Sequence, residues 1–347
     1  MPSQKKMNTS LSNQTGLSGT GMTTSKVNTL ITTNLLGALV TSAAGAKASN
    51  DDYGPLKTYA QSPLQSNSLT PLLRSGFSNR SGSVELYATG NIASIWIETE
   101  DYNADYYQNG LTVGGQLQVN ERWTLDLDYT WHFAGNNHLD NLTKNFHDTF
   151  GIDQNGREGV DDHSFDISYP EHGVEIHDFN GETLSSAITL YTGYQVFETY
   201  HHGLSVGGAL YYNHVPSGPF ANSSFEQSLQ ANYGYRAGRH RIYTTLGLSH
   251  RCDDETLADL PYKKYAFMAA MGYQFIITER HRLLLEYHLY EGESDANSDL
   301  SEPSNEVLLG YRYHLNNGAL EVSMIENVVN MDNSTDIAFT LGYRHRF

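Results

Sequence analysis

The chain has 347 residues, a formal net charge of −18 and one cysteine. The acidic balance argues against a nucleic-acid partner, because no basic patch is large enough to neutralise phosphates. The single thiol, Cys252, excludes an intramolecular disulfide framework and a structural zinc site built on several cysteines. The chain is nevertheless rich in aromatic residues, with 24 Tyr and 13 Phe, at a mean hydropathy of −0.48. This combination is typical of a transmembrane β-barrel, in which lipid-facing residues alternate with polar lumen residues.

Residues 22–48 have the pattern of a secretory signal peptide. Lys26 supplies a positive charge, residues 27–40 form a mostly apolar stretch, and small residues then provide two candidate cleavage sites. Cleavage after Ala48 is preferred, and cleavage after Ala46 is the alternative. The apolar stretch is too short to cross a bilayer as a helix, so a membrane location requires a barrel. We therefore expect export to the cell outer membrane.

Polar segments lie on both sides of the signal peptide. Residues 1–21 are an upstream extension, and either Met1 or Met22 is the start, so residues 1–48 are assigned to extension and signal peptide together. Residues 49–82 are polar and contain three prolines. This segment is expected to be either a disordered periplasmic lead-in or a plug for the barrel that follows it.

The clearest strand is W-T-L-D-L-D-Y-T-W-H-F at residues 123–133. Aromatic and aliphatic residues fall on one face, and Thr, Asp and His fall on the other, with a period of two over the whole run. Asp126 and Asp128 must face the lumen, because an acidic side chain in contact with lipid is strongly unfavourable. Aromatic residues at both ends of the apolar face suit the two membrane interfaces.

The same pattern predicts twelve strands within residues 83–347, with ten or fourteen as alternatives. They are expected at residues 83–97, 106–119, 122–134, 183–197, 203–214, 224–236, 240–252, 263–277, 281–291, 304–315, 318–326 and 335–347. Their connections alternate between short turns and long loops, which places the turns in the periplasm and the loops outside the cell. The predicted fold class is an all-β, antiparallel, transmembrane (outer-membrane) β-barrel with a short helix in one long extracellular loop.

The last predicted strand has the features of a barrel-closing strand. Tyr343 lies on its lipid-facing side, and the chain ends on the aromatic Phe347, as the last strand of an outer-membrane barrel does. One departure is His345, which stands where such strands prefer Tyr or an apolar residue. We expect Tyr343 and Phe347 to mark the barrel-closing terminus and the strand to be recognised by the barrel-assembly machinery.

The longest connection, residues 135–182, is expected to be functional or folded inward. Apolar residues at spacings of three and four, from Leu139 to Phe150, predict a short helix in the mouth of the barrel or on its rim. Its histidines and carboxylates match no H-E-x-x-H or EF-hand spacing, so no metal and no cofactor are assigned. G-L-S-V-G at 203–207 lies on a predicted strand rather than on a strand-turn-helix elbow. No catalytic residue is therefore assigned, and an enzyme is not expected.

Two stretches resemble a family of uncharacterised Gram-negative outer-membrane β-barrels, defined only as a domain of unknown function. They are P-L-L-R-S-G-F at 71–77 and F-H-D-T-F-G-I-D-Q-N-G-R at 146–157. The loop motif of the family is matched by Phe146, His147, Asp148, Phe150, Gly151, Gly156 and Arg157. The resemblance covers most of the chain and implies a compartment and an architecture, but no reaction.

The predicted lumen carries both signs of charge. The lumen-facing candidates are Asp126, Asp128, His132, Glu226, Arg236, Arg241, Glu286, Arg312, Arg344 and Arg346. Two arrangements are open: an ion-pair network that closes the lumen, or a narrow pore whose charged side chains select solutes.

The sequence favours a monomeric barrel for passive or gated passage of small solutes, constricted by the loop at 135–182. One alternative is a closed structural or surface-interaction barrel. A more distant alternative is an outer-membrane enzyme with a site at the barrel rim. The expected partners are outer-membrane lipid and lipopolysaccharide together with the assembly machinery, and no nucleic acid.

Overall fold

The computed structural model describes residues 52–139, 164–252, 262–295, 299–330 and 333–347, all within one compact unit, Ala43–Phe347. These residues form fourteen β-strands in one antiparallel sheet. The strands are β1 (Val84–Glu98), β2 (Asn103–Gln118), β3 (Trp123–Ala134), β4 (Asp166–Tyr169), β5 (Val174–His177), β6 (Thr183–Glu198), β7 (His202–Val215), β8 (Asn222–Ala237), β9 (His240–Arg251), β10 (Tyr265–Ile276), β11 (His281–Tyr290), β12 (Ser304–His314), β13 (Gly318–Val329) and β14 (Ile337–Arg346).

Twelve of these strands close into a barrel. Strands β4 and β5 form a side hairpin, which leaves twelve of the fourteen, and β1 pairs with both β2 and β14. At the seam, the Phe347 backbone N–H donates to the Val84 carbonyl at 2.8 Å. The predicted antiparallel twelve-stranded barrel is confirmed, and each strand overlaps its predicted range. The agreement follows from the period-two pattern, which every barrel strand needs in order to separate lipid from lumen.

The polarity of the barrel is the reverse of that of a soluble protein. Large apolar side chains point outward: Leu229 is 73% exposed and Leu341 is 66% exposed. Charged side chains point inward, where Asp126 and Arg312 are each 0% exposed. An apolar exterior around a polar interior is expected when lipid surrounds the barrel.

The two ends of the barrel differ in their connections. At the short-turn end the strands are joined by residues 119–122, 199–201, 238–239, 277–280 and 315–317. The opposite end, called the long-loop end, has a connection of four residues at 99–102 and connections of at least six residues elsewhere. A belt of His–Tyr pairs runs along the exterior of β7 to β14 at the short-turn end, where the ring nitrogen Nδ1 lies within hydrogen-bond distance of the phenol oxygen. The pairs are His202–Tyr233, His240–Tyr273, His281–Tyr311 and His345–Tyr343. Such amphipathic rings suit a membrane–water interface.

The connection between β3 and β6 contains the β4–β5 hairpin. Strand β4 pairs with Asn103–Asp105 of β2, beyond the point where β3 ends. This hairpin was not predicted, because strands of four residues are too short to show a period. The predicted helix and the loop motif from Phe146 to Arg157 lie outside the described residues, although Leu139, the first residue of that helix pattern, is buried. In the described part of the chain, helical structure is limited to 3-10 turns, and no helix is long and apolar enough to cross a bilayer.

An apolar cluster fills the barrel toward the long-loop end. It joins lumen-facing residues of the strands with aromatic rings from the connections. Phe179 packs edge-on against Tyr106 at 5.4 Å and against Phe220 at 5.1 Å, and Phe165 packs against Tyr107 at 5.7 Å. The described part of the β3–β6 connection therefore contributes to the packing at this end of the lumen.

Candidate functional site

A non-strand segment, residues 52–80, lies inside the barrel. We call it the re-entrant segment. Its start is at the short-turn end, where the Tyr243 hydroxyl donates to Asp52. A 3-10 turn, Gln65–Asn67, lies at the long-loop end, where the Gln65 side-chain amide donates to the Glu291 carbonyl. The chain then returns to the short-turn end and enters β1. The segment thus has a first limb (52–64) and a second limb (68–80), and both run the length of the lumen.

Side chains of the barrel wall satisfy the backbone of the re-entrant segment. Four of its N–H groups donate to wall carboxylates, in the pairs Leu56–Glu286 (2.8 Å), Gln61–Glu306 (2.9 Å), Leu69–Glu226 (2.8 Å) and Ser78–Glu198 (3.0 Å). Its carbonyls accept from wall side chains, in the pairs Gly54–Arg312 (2.8 Å), Pro55–Arg344 (2.9 Å), Leu72–Gln230 (3.1 Å) and Gly76–Gln195 (2.7 Å). A buried backbone without sheet partners needs such bonds, so charged and amide side chains of the wall replace the sheet pairing that this segment lacks.

Asp126 of β3 connects both limbs to the wall. Its Oδ2 lies 2.7 Å from the Lys57 ammonium of the first limb and 2.6 Å from the Arg74 guanidinium of the second. Its Oδ1 accepts from the Tyr87 hydroxyl at 2.8 Å. The Arg74 guanidinium also lies over the Tyr191 ring, 3.7 Å from its centroid. One wall carboxylate therefore holds two cations of the re-entrant segment.

A second ionic network holds the start of the first limb. The ion pairs are Arg344–Glu85 (2.6 Å), Arg346–Glu85 (2.5 Å), Arg312–Glu321 (2.6 Å) and Arg344–Glu321 (3.4 Å). The Tyr53 ring lies beside all three guanidiniums, at 4.3 to 5.9 Å from its centroid. Because the three arginines belong to β12 and β14, the segment is fixed next to the seam at which the barrel closes.

Glycines of the wall make room for the re-entrant segment. A Cβ on Gly76 would lie 2.5 Å from the Gly203 carbonyl oxygen and would also collide with the Gly234 backbone, so three glycine backbones meet here. Other lumen-facing glycines would collide with segment side chains if they carried a Cβ, in the pairs Gly247–Pro71, Gly272–Leu73 and Gly310–Leu56. At these points the wall has no side chain, and this leaves the space that the segment occupies.

A cavity of about 400 Å³ separates the two limbs at the short-turn end. Lys57 lines it from the first limb and Arg74 from the second. The wall contributes Arg236, Arg344 and Gln195 among others. The re-entrant segment therefore leaves a polar space on this side of the barrel, whereas the long-loop side is packed with apolar side chains.

The structure places all ten predicted lumen residues on the inner face. Arg236 and Arg241 are half-buried near the short-turn end, and the other eight are buried. His132 lies 2.9 Å from the Ser185 hydroxyl. Tyr343 lies on the outer face and is 41% exposed. The sequence analysis did not identify four partners in the lumen networks, namely Lys57, Arg74, Glu306 and Glu321. The two glutamates alternate in step with the inward-facing residues of β12 and β13, so the period of two could have identified them.

Comparisons with known proteins agree with this architecture. An outer-membrane channel from Pseudomonas putida F1 superposes with a TM-score of 0.51 at 11% identity, over 78% of this chain and 97% of that chain. The KdgM porin gives a TM-score of 0.40 at 8% identity, over 76% and 99% of the two chains. The CymD monoaromatic hydrocarbon channel gives 0.39 at 11% identity, over 78% and 89%. Only the first score exceeds 0.5, and at this identity it bears on the fold alone.

Sequence comparison gives the family. No curated protein sequence matches the chain significantly. A family model described as a protein of unknown function, DUF3187, matches residues 31–347. This match agrees with the resemblance drawn from the sequence, although the loop motif used for it lies outside the described residues. The chain, which folds as a twelve-stranded β-barrel around its own re-entrant segment, belongs to the DUF3187 family.

Proposed function

We propose that this protein is an outer-membrane channel for small solutes that is closed at rest by its re-entrant segment. The observation that carries the proposal is the way the lumen is filled. A purely structural barrel can fill its interior with the side chains of its own strands. Here the wall has glycines where the segment passes, so withdrawal of residues 52–80 would leave space along the lumen.

The contacts of the segment with the wall support reversible closure. They include many hydrogen bonds and ion pairs, such as those from Lys57 and Arg74 to Asp126, beside the apolar contacts of leucines such as Leu56. Water that enters the lumen can replace polar contacts of this kind, whereas a continuous apolar core would exclude it. We expect the segment to be displaced while the twelve strands remain paired.

A location in the outer membrane agrees with the exterior of the barrel and with the signal peptide predicted from the sequence. Outward-facing leucines at mid-barrel and the His–Tyr belt at one end form an apolar band with an amphipathic edge. In this orientation the short-turn end faces the periplasm, and the re-entrant segment enters from there. A catalytic role is not part of the proposal.

The connection at 135–182 is proposed as a second constriction. Its described part packs aromatic rings, including those of Phe165 and Phe179, into the apolar cluster at the long-loop end. Opening of the channel would therefore need both displacement of the re-entrant segment and rearrangement of this cluster.

Single-channel conductance in planar bilayers tests the proposal. The chain from residue 49 onward is compared with a barrel that begins at residue 80 and with a variant in which residues 138–178 are replaced by a short Gly/Ser loop. We expect rare or no current steps from the first protein and from the third, in which the re-entrant segment still fills the lumen. We expect frequent steps from the second, because the apolar cluster has lost Leu56 and Leu64 along with the segment. Folding of each variant is checked by the heat-dependent shift of its band on a gel.

A folded barrel that begins at residue 80 and stays silent, with and without the long loop, would contradict the channel proposal. The closed surface-interaction barrel would then be the better hypothesis. A full-length variant with Lys57→Met and Arg74→Met provides an independent check, because it weakens the attachment of the segment without shortening the chain. Its open probability should exceed that of the unmodified protein.

A further inference from the structure

We infer that the cavity between the two limbs of the re-entrant segment binds a small organic anion that carries a carboxylate or phosphate group. The binding site stands on the geometry of the closed barrel, and only its role in opening rests on the proposed channel function. The cavity has the volume usual for small-molecule sites and lies at the short-turn end.

Among the charged side chains that line the cavity, cations outnumber anions. Five of them are basic, namely Lys57, Arg74, Arg80, Arg236 and Arg344. Two are acidic, namely Asp52 and Glu198. In a lumen shielded from bulk water, an excess of one sign of charge attracts counter-ions strongly. The lining therefore favours an anion.

The acidic side chains of the lining already have several partners. Asp52 accepts from the Tyr243 hydroxyl, from the Gln274 side-chain amide at 3.1 Å and from the Gly54 N–H at 3.0 Å. Glu198 accepts from the backbone N–H and hydroxyl of Ser78 at 3.0 and 2.7 Å. These bonds direct both carboxylates toward protein groups, so they oppose an anion in the cavity less than free carboxylates would.

Lys57 and Arg74, the two cations that attach the limbs to Asp126, have more donor hydrogens than their bonds to this carboxylate use. Lys57 and Arg74 share one oxygen of one carboxylate, Asp126 Oδ2. The Arg74 Nε is buried and has no hydrogen-bond partner within the part of the chain that the structure describes. A buried donor without a partner costs free energy, and a carboxylate or phosphate oxygen that draws Arg74 away from Asp126 would satisfy it.

The remaining walls of the cavity indicate an organic rather than an inorganic anion. Tyr53, Leu56, Leu72, Leu73 and Phe77 line it beside the charged groups. These apolar and aromatic side chains can contact a carbon skeleton, while the cationic donors bind its acidic group.

Occupancy of the cavity would act on the attachment of the re-entrant segment. An anion that takes hydrogen bonds from Arg74 and Lys57 competes with Asp126 for the same two cations. Binding and displacement of the segment are then coupled, so the anion that occupies the cavity would also favour opening.

Binding is tested by isothermal titration calorimetry on the refolded chain from residue 49 onward, in a low-chloride buffer. Glucuronate and glucose 6-phosphate are compared with neutral glucose and with inorganic phosphate. Binding of either organic anion, with no detectable binding of glucose, is expected. The stronger of the two distinguishes a carboxylate from a phosphate site. Equal heats for glucose and for both anions, or binding of inorganic phosphate alone, would overturn the inference.

Matched variants connect the binding to the cavity. Arg74→Gln should weaken the affinity for the anion roughly tenfold or more, because hydrogen bonds to charged groups are the strong ones. Arg239→Gln removes an exposed arginine at the same end that does not line the cavity and should leave the affinity unchanged. Equal affinities of the two folded variants would overturn the site.

Since Arg74→Gln could loosen the segment, Arg236→Gln is a second test at the other side of the cavity, and it too should weaken binding. The channel proposal and the anion-site proposal can be refuted independently of each other. A silent barrel from residue 80 onward, together with Arg74-dependent anion binding by the closed chain, would refute the channel and leave the site.

Discussion

The Lys57 ammonium of the re-entrant segment lies 2.7 Å from the Asp126 carboxylate of β3, and these side chains are 9% and 0% exposed. Removing one member of a buried ion pair is far more costly than the pair is stabilising, because the remaining charge stays buried without a partner. The same carboxylate oxygen also accepts from Arg74. Asp126 is therefore the wall residue on which the position of both limbs depends most.

Replacing Asp126 by Asn should release the re-entrant segment. The substitution leaves two buried cations without their shared carboxylate, a change on the order of 3–5 kcal/mol for one broken buried pair. Trypsin cleaves after Lys and Arg, so Lys57 and Arg74 themselves report the exposure of the segment. We expect cleavage at both residues to be at least about tenfold faster than in the unmodified protein in lipid vesicles, as followed by mass spectrometry.

Asp166→Asn is the matched control for that measurement. Asp166 pairs with His177 on the β4–β5 hairpin, where both side chains are more than half exposed, and exposed pairs contribute little. This variant should be cleaved at the native rate. Identical protection of Lys57 and Arg74 in both variants would show that Asp126 does not hold the segment.

Gly76→Ala should displace the second limb without unfolding the barrel. The added Cβ would lie 2.5 Å from the Gly203 carbonyl oxygen, and the backbone of a sheet cannot move aside as a flexible side chain can. The limb must move instead, so we expect faster tryptic cleavage at Arg74 and a larger conductance. Gly90→Ala is the control, because its nearest atom would be 3.9 Å away. A Gly76→Ala protein that is as protected as the Gly90→Ala protein would contradict the observed close approach.

Tyr53→Leu should loosen the start of the first limb, whereas Tyr53→Phe should not. The ring of Tyr53 lies beside Arg312, Arg344 and Arg346, and each cation–π contact contributes about 0.5–2 kcal/mol. Phe retains the ring and Leu does not. Cleavage at Lys57 should increase several-fold for the Leu variant only. Equal rates for the two variants would mean that the aromatic ring contributes volume rather than charge recognition.

Glu293 should make the protein less stable as the pH rises. It lies between β11 and β12, and burial raises the pKa of its carboxyl to about 8, with Glu226 adding to this effect and Arg251 opposing it. The unfolded chain loses this proton near its ordinary pKa of 4.5. Between these values only the unfolded state is ionised, so the free energy of unfolding falls as the pH rises, by about 1.4 kcal/mol per pH unit at most.

Glu293→Gln stays neutral in both states and removes this contribution. Urea unfolding in lipid vesicles, followed by tryptophan fluorescence, should give a steeper loss of stability from pH 5 to pH 8 for the unmodified protein than for the variant. Parallel pH profiles would indicate that Glu293 ionises normally in the folded protein.

The sequence by itself determined the barrel. Each strand must alternate lipid-facing and lumen-facing residues. The run from Trp123 to Phe133 is therefore enough to locate β3 and to identify the face that points into the lumen. The same reasoning oriented Arg344 and Arg346 inward and Tyr343 outward. Local period and the cost of charge in lipid suffice for these conclusions.

Only the tertiary structure decided what fills the lumen. Residues 52–80 have no period, because their backbone pairs with no strand and their partners are distant side chains: Leu56 bonds to Glu286 and Arg344 bonds to Pro55. The β4–β5 hairpin is likewise too short to show a pattern and depends on the edge of β2. The choice between a lead-in and a lumen segment depends on wall glycines such as Gly203, which lie far away in sequence and approach Gly76 only in the folded barrel.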